Sequence, residues 1–142
     1  MSHRFEGRCH CGNISFVFDT SARLDVLGLR ACQCSFCRAH GARTTSYPKG
    51  AIAIKVADES KLQRYRFGLN TADFFICRDC GVFVGAMMEE DGKRWITVNA
   101  NTFRPVPAYD IAGAANDFGA EDASSRGDRR KLKWTPVTEF SA

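Results

Sequence analysis

Seven cysteines lie in three short groups, and no other feature of the chain limits its fold as tightly. Cys9 and Cys11 flank His10, Cys32, Cys34 and Cys37 fall within one six-residue stretch, and Cys77 and Cys80 are separated by two residues. An odd count cannot be fully paired in disulfides, and the opening MSHRFE has no apolar segment of the kind that directs secretion. Clustered cysteines in a reducing compartment bind metal or do thiol chemistry. The expectation is a cytoplasmic protein with no membrane partner, since no apolar run approaches the ~20 residues a bilayer crossing needs.

Spacing sharpens this reading. Two cysteines one or two residues apart on a tight turn can aim both sulfurs at one zinc ion, at Zn–S distances of about 2.3 Å. The first and third groups share a design: each ends in Cys-Gly and runs into apolar residues, Gly12 before Ile14 and Phe16, Gly81 before Val82 and Val84. Glycine there permits the positive φ that turns backbone amides toward the sulfurs. Two such knuckles meeting make a closed four-thiolate site of Cys9, Cys11, Cys77 and Cys80. Such a site contributes on the order of 10 kcal/mol to folding. Thiol redox chemistry at Cys77 and Cys80 is the weaker alternative, because a β run rather than a helix follows them.

The middle trio has three readings. Cys32, Cys34 and Cys37 can hold a second zinc with a fourth position left for substrate, the pattern of catalytic zinc. His40, three residues after Cys37, can instead close a second structural site. The trio can also be reduced thiols packed in the core. His10, between two ligands, and His3, in a terminus expected to fray, are given no catalytic role. Three thiolates lower the acidity of a bound divalent ion, which favours handling of a thiol or a small carbonyl over hydrolysis. Arg38 and Arg43 are near enough in sequence to hold a carboxylate-bearing ligand, or to be ordinary surface arginines.

The formal charge of +4 concentrates in residues 1–50, with seven basic residues against three acidic. Seven thiolates and two divalent ions would reduce it to +1, so basicity is a poor argument for a nucleic-acid partner. The run at 126–136 (RGDRRKLKWTP) reads as a solvated strand or tail with Trp134 tucked onto the body, phosphate contact being the alternative.

At 142 residues, with 44% hydrophobic and 25% charged, the chain reads as a single globular domain over 1–142 and not as a disordered one. It reads as mainly β. Residues 13–19 alternate with Ile14, Phe16 and Phe18 on one face, and 51–56, 62–67, 73–77, 82–88 and 95–99 are similar short runs. Asp91 and Gly92 mark a hairpin with a connection of about four to six residues. Residues 112–126 read as loop with at most a short helical turn, and Asn99 and Asn101 as turn formers or pocket-lining groups.

Three segments together resemble the glutathione-dependent formaldehyde-activating enzyme family, which includes centromere protein V. They are Gly7-Arg8-Cys9-His10-Cys11-Gly12, Cys32-Gln33-Cys34-Ser35-Phe36-Cys37-Arg38 and Phe75-Ile76-Cys77-Arg78-Asp79-Cys80-Gly81. The resemblance runs from about residue 5 to 103, leaving 104–142 as a C-terminal loop and tail. It implies the β-tent fold, several small coiled antiparallel sheets stapled by a four-cysteine zinc site, similar to that of zinc-containing Rab chaperones. It also implies structural zinc on Cys9, Cys11, Cys77 and Cys80, and catalytic zinc on Cys32, Cys34 and Cys37. The implied activity is that of a carbon–sulfur lyase joining glutathione and formaldehyde into S-hydroxymethylglutathione. The sequence departs from the family pattern at Gln33, where histidine is common, and at the segment 39–43. A small aldehyde or thiol, glutathione among them, is therefore the expected partner, with two zinc ions, the second more easily lost. The alternative is a non-catalytic zinc-stabilised binding module with His40 as a ligand or an apolar patch at Phe36, Phe74 and Phe75.

Overall fold

A computed structural model describes residues 3–23, 27–107 and 113–142. It holds eleven strands: β1 (His3–Arg8), β2 (Ile14–Thr20), β3 (Arg30–Cys32), β4 (Thr44–Thr45), β5 (Ala51–Val56), β6 (Leu62–Tyr65), β7 (Asp73–Cys77), β8 (Phe83–Glu90), β9 (Lys93–Asn99), β10 (Ala114–Asn116) and β11 (Thr135–Ser141). Among the elements wholly described, two α-helices accompany them, α1 (Ser35–His40) and α2 (Ala123–Lys133). The architecture is mainly β, and the six expected runs are all strands, with boundaries shifted by a few residues. No helix among the described residues is long and apolar enough to cross a membrane.

The strands follow the order β1-β2-β5-β11-β9-β4-β3-β10, and a β6-β7-β8 meander joins at β9. β11 is the hinge of this arrangement. Its first residues, Thr135 and Pro136, pair antiparallel with Ile96 and Trp95, and from Val137 on it runs parallel to β5, with a register shift between Val137 and Glu139. The C-terminal segment is thus a central strand rather than a tail. Alternation in β2 sends Ile14, Phe16 and Phe18 inward against Ile52, Ile54 and Val56 of β5, where they meet Phe75, Val84, Ile96, Val98 and Phe103. Phe18, Phe75, Phe83 and Phe103 are at most 2% exposed, and burying each contributes about 1.5–3 kcal/mol. β8 is buried on both faces: Val84 and Met87 join this core, while Ala86 and Met88 lie in a second cluster with Ala72 and Trp134.

Four expectations change. The hairpin connection is only Asp91 and Gly92, both left-handed (φ 54° and 76°), so that Glu90 pairs with Lys93. Left-handed geometry at both positions matches the twist of the flanking strands, and pairing continues through charged residues that carry no hydrophobic alternation. His3 is no frayed end, since it opens β1 opposite Thr20. Of residues 112–126, residue 112 lies outside the described residues, 114–116 form β10, and 123 onward begin α2. Phe75 is fully buried and belongs to no surface patch.

α2 replaces the solvated run expected at 126–136. Asp122 caps it, its carboxylate accepting from the Ser125 amide at 2.8 Å, and Arg130, Lys131 and Lys133 occupy the last turn, where the helix dipole favours cations. Its packing is carried by guanidinium groups instead of an apolar stripe, so hydrophobic periodicity does not reveal it. Leu132 is 70% exposed.

Candidate metal centres

The two outer cysteine groups meet as matching turns. The Cys9 amide donates to the Ile14 carbonyl (2.9 Å) and the Cys77 amide to the Val82 carbonyl (3.1 Å), each spanning five residues. Gly12 and Gly81 close the turns with φ of 87° and 76°, as the Cys-Gly pattern predicts. The sulfurs of Cys9, Cys11, Cys77 and Cys80 all lie within 4.8 Å of one another, with Cys9–Cys11 at 3.8 Å and Cys11–Cys77 at 3.5 Å. A tetrahedron with ligands at about 2.3 Å has edges of about 3.8 Å, so the sulfurs fit a single ion of that size. All seven cysteines are free thiols, without a disulfide.

Backbone amides are aimed at this cluster. Ile14 donates to the Cys9 sulfur at 3.3 Å. Burial raises the Cys9 and Cys77 thiols, Cys77 to about 12. For Cys80 burial acts in the same direction but is outweighed by donation from the Cys11 and Val82 amides and from neighbouring thiols, which bring it to about 6. Four converging sulfurs, with Cys9 and Cys77 buried and backbone amides directed at the cluster, are suited to a cation. His10 is exposed.

The middle trio is assembled differently. Cys32 ends β3, Cys34 is the N-cap of α1 with its sulfur accepting from the Cys37 amide at 3.4 Å, and Cys37 lies in the first turn. Gly41, at φ 60°, stops the helix. The three sulfurs again lie within 4.8 Å of one another. Hydrogen bonds from the Cys32 and Cys37 thiols draw Cys34 far down, and bonding to Cys32, then to Cys34, together with burial, pushes Cys37 up. His40 is not in this group: its Nδ1 lies 2.9 Å from the Phe36 carbonyl and its ring packs on Phe36 and Phe83. The chain therefore holds two cysteine clusters able to bind a metal ion, one of four sulfurs and one of three.

The trio faces a cavity of about 150 Å³, and the cluster of four does not. Phe67, Phe74 and Phe83 form an aromatic wall, and Arg30, Arg126, Arg129 and Arg130 supply the charge. Arg30 donates to Ser46 Oγ (2.6 Å) and Thr97 Oγ1 (3.1 Å). Arg129 grips Glu121 with two bonds of 2.8 and 3.0 Å and lies 3.6 Å over the Phe118 ring. Arg130 donates to Thr71 Oγ1 (2.9 Å) and lies over Trp134. Burial, with the neighbouring cations Arg126 and Arg129, brings Arg130 down to about 10.

These arginines are not those the sequence singled out. Arg38 is exposed, and Arg43 is engaged by Asn101 Oδ1 (2.8 Å) and the Pro107 carbonyl (3.2 Å); neither lines the cavity. Asn99 and Asn101 form a turn, the Asn99 side chain accepting from the Asn101 amide. The i, i+3, i+4 spacing of Arg126, Arg129 and Arg130 was the available signal, since it places three guanidinium groups on one helical face.

Residues 4–116 match the family described as glutathione-dependent formaldehyde-activating enzyme. Among solved structures, the chain is similar to a Rhodobacter sphaeroides protein whose crystal structure was a structural-genomics target. The two are 27% identical with a TM-score of 0.56, over 78% of this chain and 97% of that one. No curated protein gives a significant match.

Proposed function

The chain belongs to the glutathione-dependent formaldehyde-activating enzyme family, and from that premise we propose a single β-tent domain with two zinc ions that acts as a carbon–sulfur lyase on small thiol–aldehyde adducts. In this reading Cys9, Cys11, Cys77 and Cys80 hold a structural ion, and Cys32, Cys34 and Cys37 hold a second one at the reaction site. The observation that carries it is the unequal setting of the clusters: the trio lines the cavity beside the arginines, the cluster of four does not line it, and His40 is turned to Phe36 and Phe83 instead of the sulfurs.

A divalent ion at the trio supplies a place where an external thiol ionises near neutral pH. The chain's own residues do the rest. The aromatic wall of Phe67, Phe74 and Phe83 excludes water and receives a small apolar carbonyl, and the cysteine side fixes the sulfur beside it, so that proximity is the main gain. The sulfur forms a bond to the carbonyl carbon, the carbonyl π pair moves to oxygen, and the thiol proton ends on that oxygen. Nothing is oxidised or reduced, and the reverse reaction releases both partners. A cavity of this size encloses the reacting end of glutathione and leaves most of the tripeptide outside.

Exchange NMR of zinc-loaded protein with glutathione and formaldehyde tests the reading. Adduct formation faster than the uncatalysed rate, returning to that rate in Cys34→Ser, is expected. An unchanged rate in both proteins would leave only a zinc-stabilised binding module.

A further inference from the structure

We propose that Arg30 and Arg130 form a carboxylate subsite beside the cysteine trio, so that the preferred ligand is a small carboxylate-bearing thiol or its aldehyde adduct. This inference rests on the reading of the trio as the reaction site. Arg130 is 7% exposed, yet among the described residues no carboxylate lies within 4 Å of it or of Arg30. Its guanidinium is held by Thr71 and the Trp134 ring, and its Nε has no hydrogen-bond partner among the described residues. A buried cation without a counter-ion is costly. Such a cation is retained where a ligand brings the missing charge.

The surroundings fit one negative charge. Four guanidinium groups line the cavity. Glu121 offsets one of them, Asp117 a second, and three thiolates around a divalent ion a third, leaving one positive charge over. The thiolates alone do not neutralise the site. Arg30 and Arg130 line the same cavity as the three sulfurs, and Cys32 lies within electrostatic reach of both, so an anion bound to either guanidinium shares that cavity with the trio. Volume restricts the ligand further: a cavity of about 150 Å³ holds a molecule about the size of benzene. A guanidinium presents a planar fork of donors that a carboxylate can accept with both oxygens.

The test is calorimetric binding to zinc-loaded protein of three probes: mercaptoacetate, its uncharged counterpart mercaptoacetamide, and propionate, which has the charge without the thiol. Mercaptoacetate is expected to bind at least 10-fold more tightly than mercaptoacetamide. That ratio should fall to about 1–2 in Arg130→Gln and in Arg30→Gln and persist in Arg38→Gln. Arg30→Gln keeps the test decisive if loss of the Arg130–Trp134 contact unfolds the first variant, and circular dichroism verifies folding of each. Equal affinity for the two thiols would overturn the subsite while leaving thiol binding at the trio intact. Propionate binding that depends on Arg30 and Arg130, with no tighter binding of mercaptoacetate, would uphold the subsite and overturn the trio as a thiol site.

Discussion

The sulfur of Cys11 lies 3.5 Å from that of Cys77, sixty-six residues further along the chain. A metal ion at this point closes a long loop and fastens the start of β2 to the end of β7. Closing 66 residues instead of about five removes about 2 kcal/mol more entropy from the unfolded chain, beyond the ligand bonds themselves. Cys77→Ser is expected to lose one metal equivalent and most of its cooperative thermal unfolding, as followed by circular dichroism. Retention of the wild-type midpoint would show that the cluster of four is not a folding element.

The trio predicts the opposite balance. Its ligands span six residues at the end of β3 and the start of α1, so an ion there constrains little of the unfolded chain. Cys34→Ser should lose one metal equivalent, abolish thiol–aldehyde exchange and cost no more than about 1–2 kcal/mol, the typical range for one substitution outside the core. A denaturant titration measures the difference.

Packing beside the first knuckle gives a third prediction. A Cβ at Gly7 would lie 2.2–2.8 Å from atoms of the Phe16 ring across the β1–β2 pair. The ring is 3% exposed and has little room to move. Gly7→Ala is expected to destabilise the protein by about 1–3 kcal/mol while leaving its metal content unchanged. Chemical denaturation and metal analysis of the same sample check both parts.

The α2 anchor is pH-dependent in a defined direction. Hydrogen bonding from Arg129, then from Arg126, holds the Glu121 carboxyl below its ordinary value of 4.5. A lowered folded-state pKa means that the stabilisation is present above about pH 4.5 and is lost as pH falls through the depressed value. Glu121→Gln should be about 1 kcal/mol less stable than wild type at pH 7. The difference should shrink below pH 4. Comparing the two proteins at each pH cancels the loss of metal that both undergo in acid.

Much of this molecule is legible in its sequence. Alternation announced β2 and β5 because one face of each is buried, and Cys-Gly before an apolar strand announced both knuckles because only glycine takes their positive φ without strain. β11 and α2 were hidden for different reasons: a register shift between Val137 and Glu139 breaks the alternation of β11, so that Val137 and Phe140, three residues apart, both pack on the core, while the packing of α2 is not written in apolar residues. Thr135 and Pro136 pair with β9 and the residues from Val137 on with β5, and α2 attaches through Arg126, Arg129 and Arg130, whose charges resemble a solvated surface until Glu121, Thr71 and Trp134 are placed beside them. Arg38 and Arg43 lie near the trio in sequence, whereas the cavity draws its charge from Arg30, two residues before Cys32, and from Arg126, Arg129 and Arg130, about a hundred positions away.

Metal content per chain tests the central claim most directly. Protein purified with zinc present is predicted to hold two equivalents, and Cys32→Ala to hold one while keeping its fold. One equivalent in the wild type, unchanged by Cys32→Ala, would contradict a second metal centre at the trio.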